Sequence, residues 1–136
     1  MITTEAQKHR KDEDRGGKVT GNVIGAAIEV HRALGPGLLE GFYEECLHHE
    51  LRLRALACDR QVPLDLAYKG LRIGHAYRID LVVESAVVVE VKAVEKLLPV
   101  HHAQLLTYLR LSGCRLGLIL NFNVPALPEG IVRMAL

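Results

Sequence analysis

The chain has 136 residues, nearly half of them apolar, with 17 Lys and Arg against 16 Asp and Glu. That length supports one domain with one core and is too short for two. A net charge of +1 excludes a globally basic surface for nucleic acid, so any basic surface must be local.

Tryptophan is absent and aromatic residues are few, so the core must be aliphatic. No apolar run reaches transmembrane length and the first residues are charged. Cys46, Cys58 and Cys114 lack C-x-x-C spacing. Together these features predict reduced thiols in a soluble, cytoplasmic protein with no membrane partner, disulfide framework or zinc site.

Residues 1–18 mix charges and are poor in apolar side chains, which predicts a flexible N-terminal arm ahead of a single domain over 19–136. From Val19 the pattern is helical, with Val23, Ala27, Val30, His31 and Leu34 on one face, until Gly35-Pro36-Gly37 stops it. A second helix is expected over 38–56, with Leu39, Tyr43, Cys46, Leu47 and Glu50 along one side. The alternation over 62–68 predicts a strand with one solvated face. Lys69-Gly70 turns the chain into a long strand over 71–83, bent or bulged near Gly74. A third strand follows over 86–93. The third helix, 99–111, carries Pro99 at its start and Gly113 at its end. A fourth strand, 116–122, leads into a proline-containing tail with a short edge strand. The order predicts an α/β fold with a mixed sheet.

The strands over 71–83 and 86–93 are rich in β-branched residues, yet they carry Asp80, Glu90 and Lys92. Unpaired charge on a buried strand costs several kcal/mol, on the order given by desolvation. Glu90 and Lys92 are two residues apart and project from one strand face, which Asp80 reaches if the two strands form a hairpin. Two carboxylates and one ammonium at a strand end suit a hard divalent cation, Mg²⁺ or Mn²⁺, and a phosphate ester. The competing reading is a Glu90–Lys92 ion pair on a solvated face, worth little. Val88, on the same side as Glu90, argues against it.

The ordered set of elements, with Asp80 on one strand and Glu90-x-Lys92 on the next, resembles the PD-(D/E)XK nuclease superfamily. That resemblance implies a restriction-endonuclease-like αβββαβ core with a mixed central sheet flanked by helices. Within it, Gly37-Leu38-Leu39-Glu40-Gly41-Phe42-Tyr43 is similar to the signature of the GxxExxY protein family. Glu29-Val30-His31, Gln104-Leu105-Leu106 with Tyr108-Leu109, and Asn121-Phe122 belong to the same resemblance. The proline that nominally precedes the superfamily's aspartate is Ile79 here.

The resemblance implies metal-dependent hydrolysis of phosphodiester bonds in nucleic acid, DNA first, leaving a 5′-phosphate. Asp80, Glu90 and Glu40 would hold the metal, with the Val91 carbonyl as a further ligand, and Lys92 would orient the attacking water. Glu40 taken alone is a carboxylate in a helix's first turn, where the dipole favours it anyway. Gln104 matches a helix motif of RecB-type nucleases. Tyr108, four residues on, shares its face, and with His31 and Tyr43 forms a set of supporting residues. A lone histidine on an apolar helix face is also commonly a hydrogen-bonded core residue. Arg78, Lys96, Arg32 and Arg110 are the candidate phosphate contacts, expected as a local positive rim. The alternative is a catalytically silent module that binds nucleic acid or protein, and a homodimer or protein partner could supply missing basic surface.

Overall fold

A computed structural model describes the chain over residues 5–136, with side chains from residue 16 onward. Helix α1 spans Glu5–Leu34 and α2 spans Glu40–Leu53. Strands β1 (Cys58–Tyr68) and β2 (Leu71–Val83) make a long antiparallel hairpin, and β2 pairs antiparallel with β3 (Val87–Lys92). β3 runs parallel to β4 (Leu116–Asn121), which needs a crossover; α3 (Pro99–Ser112) supplies it. A short 3-10 turn, Leu127–Gly130, feeds β5 (Ile131–Ala135), antiparallel to β4. The sheet order is β1-β2-β3-β4-β5, the mixed sheet flanked by helices that the order of elements predicts.

The helices cover the two sheet faces because β3 is apolar along one and carries Val88 on the other. Val87, Val89 and Val91 face α1 and α2, where Val23, Ala27, Tyr43, Leu47 and Leu51 complete the larger core with Leu81, Leu118, Leu120 and Phe122. Val88 faces α3 and packs with Leu105, Tyr108, Leu109, Leu64, Ile79 and Ile119. Gly117 lets α3 come close, since a Cβ there would stand 2.8 Å from a Leu105 methyl. α3 is punctuated as its sequence suggests: Pro99 opens it, the Leu98 N–H donates to His101 Nδ1 at 2.9 Å, and Gly113 closes it at φ 77°.

Much of the segment expected as an N-terminal arm, 1–18, is helical in this fold. α1 already begins at Glu5, and only residues 1–4 of that segment lie outside the described residues. Docking the stripe Val19, Val23, Ala27 and Val30 nucleates the helix, after which each added residue gains a hydrogen bond at little cost. The bend expected near Gly74 is a register shift between Leu64 and Leu66, with His75 in left-handed backbone at φ 53°. Asp65 fixes it by accepting the His75 N–H at 3.0 Å and the Arg72 guanidinium at 2.8 Å. Among the described residues no helix is long and apolar enough to cross a membrane, and all three cysteines are free.

Candidate active site

The β2–β3 ladder has rungs at Val83–Val87, Val82–Val88 and Leu81–Val89, then stops. At the next position the side chains take over from the backbone. Glu90 Oε1 accepts the Asp80 N–H at 3.1 Å, and Asp80 Oδ2 accepts the Val91 N–H at 2.8 Å. This reciprocal arrangement satisfies two backbone donors that the splayed strands would leave unpaired. It also fixes both carboxylates while committing one oxygen of each. On the other side of β2, rungs flank the gap at Arg60–Leu81 and Val62–Ile79, and none joins Gln61 to Asp80. Gln61 sits there in left-handed backbone at φ 53°, a conformation uncommon for a residue with a Cβ.

That kink turns the Gln61 side chain onto α2. Its amide donates to Glu44 Oε1 at 2.8 Å and Oε2 at 2.9 Å, and the Arg60 guanidinium adds Nη2 at 2.8 Å and Nε at 3.2 Å to Oε2. Glu44 is only 7% exposed, so both of its oxygens depend on this clamp. The clamped carboxylate stands against Asp80.

The electrostatics follow from this crowding. Burial pushes the Asp80 carboxyl up to about 6 despite the Val91 N–H, and the Glu44 charge pushes the same way. Glu90 is raised further, first by burial and then by the Asp80 charge; Lys92 pulls it back only in part. Lys92 ends β3, half-buried, and its ammonium forms no ion pair or hydrogen bond among the described residues. On the α3 side, burial and then the charges of Glu90 and Asp80 raise the Tyr108 hydroxyl to about 12, so it stays protonated. Tyr108 meets Tyr77 edge-on at 5.6 Å. Gln104, one helical turn before it, is half-buried, and its side chain has no hydrogen-bond partner among the described residues.

The structure thus gathers Asp80, Glu90, Lys92 and Tyr108 and gives Gln104 the same helix, but it does not bring in Glu40. Glu40 is exposed as the first residue of α2, and Glu44, one turn later, takes the position beside Asp80. The reason is where α2 is seated along its axis: Glu40 and Glu44 share a helix face, and the buried Tyr43, Leu47 and Leu51 set the second of them at the sheet. His31 is likewise elsewhere, with Nε2 2.8 Å from the Val124 carbonyl, tying α1 to the segment after β4. Tyr43 stacks on Phe122 at 4.6 Å, donates to the Gly35 carbonyl at 2.5 Å and accepts the Leu38 N–H at 3.1 Å. It therefore pins the Gly35-Pro36-Gly37 turn. Arg32 is exposed and pairs with Glu29 at 3.8 Å. Arg78, Lys96 and Arg110 are exposed and form no ion pair among the described residues.

Glu44, Arg60 and Gln61 are the residues that sequence reasoning missed, and Asn121 was read only as part of the family resemblance without a role. Asn121, buried at the end of β4, accepts the Val94 N–H at 3.1 Å and donates to the Val94 carbonyl at 2.9 Å, holding the chain just beyond Lys92. Glu44 was readable as a carboxylate beside an apolar stripe; no sequence signal marks the kink at Gln61.

Asp80 and Glu90 offer only oxygen, which fits Mg²⁺ or Mn²⁺ and not a thiolate-seeking metal. Among the described residues no three His, Cys, Asp or Glu side chains converge into a closed cage. Mg²⁺ commonly uses one or two carboxylates and keeps several waters, so the pair suffices as a donor set. A family model described as the PD-(D/E)XK nuclease superfamily matches residues 17–134. No curated protein and no solved structure matches the chain.

Proposed function

The chain belongs to the PD-(D/E)XK nuclease superfamily, and we propose that it hydrolyses phosphodiester bonds in nucleic acid at the opening between β2 and β3. The observation that carries this reading is the pairing of half-buried Asp80 with buried Glu90 beside a lysine whose ammonium makes no ion pair among the described residues. The Gly37, Glu40 and Tyr43 pattern supports reading the chain as a GxxExxY-type member of that superfamily.

Asp80 and Glu90 would hold the Mg²⁺ or Mn²⁺ ion through the oxygens not committed to backbone. When bound, the cation supplies positive charge against the scissile phosphate and lowers the pKa of a water. Glu44 adds negative charge beside the pair, while its clamp keeps its own oxygens occupied. Lys92 orients the attacking water and offsets charge that grows on the phosphoryl oxygens. Its three N–H donors are free for that task. Tyr108 and Gln104 donate hydrogen bonds from the α3 side. The new P–O bond comes from water, the old one leaves with the alcohol product, and the resemblance gives a 5′-phosphate, with DNA as the first substrate to try. Arg78, Lys96 and Arg110 serve as phosphate contacts; Arg32 is a weaker candidate because Glu29 engages it.

The test is a Mn²⁺-dependent cleavage screen over single-stranded, duplex and branched DNA and RNA. We expect cleavage by the native chain and none by Lys92→Ala, with the variant still binding Mn²⁺ in titration calorimetry. Asp80→Asn should lose most of that binding. Cleavage surviving Lys92→Ala at the native rate sinks the proposal. Nucleic-acid binding without cleavage of any substrate would favour the silent-module reading.

A further inference from the structure

The β1–β2 hairpin continues well beyond the site that its base carries. Past Leu64, the last buried residue of β1, every residue from Asp65 to His75 except the half-buried Leu66 is exposed. In this projecting part Leu66 lies opposite Ile73 and Tyr68 lies opposite Leu71. Because alternate strand residues share a face, these four side chains form one apolar ribbon. Tyr68, Leu71 and Ile73 are 62%, 58% and 44% exposed, an unusual outlay of apolar surface on a two-stranded element. The opposite face is polar and internally satisfied, since Arg72 is paired with Asp65.

Two further observations bear on what covers the ribbon. The arm is preset: the Asp65 bonds to His75 and Arg72 fix its bend, and Lys69 and Gly70 close its tip at φ 43° and 85°. It also holds the chain's positive surplus. From Asp65 to Arg78 there are three cations, Lys69, Arg72 and Arg78, against the one acid, whereas acids outnumber Lys and Arg by one in the remainder. Lys69 lies 5.4 Å from the Tyr68 ring centroid, so aromatic face and cation are presented together. Duplex nucleic acid offers phosphates and grooves, which give an aliphatic ribbon little to pack on. Unpaired bases offer flat apolar faces with phosphates close by.

We propose that this arm is a stacking platform for a single-stranded segment of nucleic acid adjoining the scissile bond, a proposal that rests on the nuclease reading of the Asp80 site. Tyr68 and Leu71 take unpaired bases. Lys69 and Arg78 meet the backbone phosphates, and Arg78 lies two residues from Asp80 on the same strand, linking the platform to the site.

The experiment uses the full chain with Lys92→Ala, so that substrates stay intact, and reads fluorescence anisotropy with a labelled single strand and its duplex. Single-strand binding should be the tighter. Tyr68→Ala should weaken it by roughly tenfold, with Tyr68→Phe near the parent, as expected for loss of one stacked base. Lys69→Gln should lower the slope of log affinity against log salt by about one. With Lys92 restored, Tyr68→Ala should raise KM and leave kcat unchanged. Equal single-strand binding by Tyr68→Ala, or a preference for duplex, overturns the proposal. So does a concentration-dependent dimer, in sedimentation, that Leu71→Ser abolishes, because the ribbon would then belong to a second copy. Absence of cleavage with Tyr68-dependent single-strand binding intact would refute the nuclease reading and leave the platform standing.

Discussion

The crowded acids make Asp80→Asn a stabilising substitution in metal-free protein. Asparagine keeps an oxygen to accept the Val91 N–H and removes a charge that burial and Glu44 both penalise. The folded-state pKa of Asp80 lies above its unfolded value, at about 6 against 3.8. The native chain therefore has its full stability below the ordinary carboxylate range and loses part of it as pH rises through about 6. Glu90, raised further, extends the loss to higher pH. At about 1.4 kcal/mol per pH unit, the Asp80 shift is worth up to ~3 kcal/mol, and ~1–3 kcal/mol is a fair expectation because the acids share it. For a chain of this size that is on the order of 4–10 °C in Tm. Melting in EDTA from pH 4 to pH 8 should show the variant gaining on the native chain as pH rises, with the two nearly equal at the acid end. Mn²⁺ should then raise the native Tm and leave the variant's almost unchanged. A gap between the two that does not depend on pH, or a variant less stable at pH 8, would refute the argument.

Arg60→Leu should cost roughly 1–3 kcal/mol, below the full penalty for breaking a buried pair because Arg60 is partly exposed, and Glu44→Gln in the same chain should recover most of it; urea melts of the cycle decide. Gly130→Ala should cost roughly 2–3 kcal/mol, because a Cβ there collides with the Asn121 carbonyl, a backbone atom that cannot yield cheaply. An unchanged urea midpoint would contradict that packing.

Elements with a local cause were legible in the sequence. Leu71–Val83 matches its predicted bounds because Lys69-Gly70 starts it and the β-branched run continues it. α3 matches at Pro99 because proline and Gly113 mark its ends. The start of α1 was not legible: composition favours disorder over 5–18, and only docking of the downstream stripe carries the helix back. β1 begins at Cys58, before the alternation that announces it, because it continues through a left-handed residue that no strand pattern anticipates.

The site divides along the same line. Asp80, Glu90 and Lys92 lie on adjacent strands, so period-two geometry was enough to group them. The helix glutamate needed the axial seating of α2 against the sheet, a long-range quantity. Glu40 and Glu44 are one turn apart, and only the seating of Tyr43, Leu47 and Leu51 selects between them. The same seating bears on what the acids are for. Had the trio been an ordinary surface ion pair, Lys92 would neutralise Glu90, and Glu44 would be free to turn toward water. Instead the Lys92 ammonium forms no ion pair among the described residues, and Arg60 and Gln61 are spent on Glu44. Arg60 is thus committed to Glu44 while Lys92 offsets Glu90 only in part, so the raised carboxyls of Asp80 and Glu90 lack a full partner. Evolution of stability alone would neutralise such a pair; leaving it strained favours a cation from solution as the missing partner.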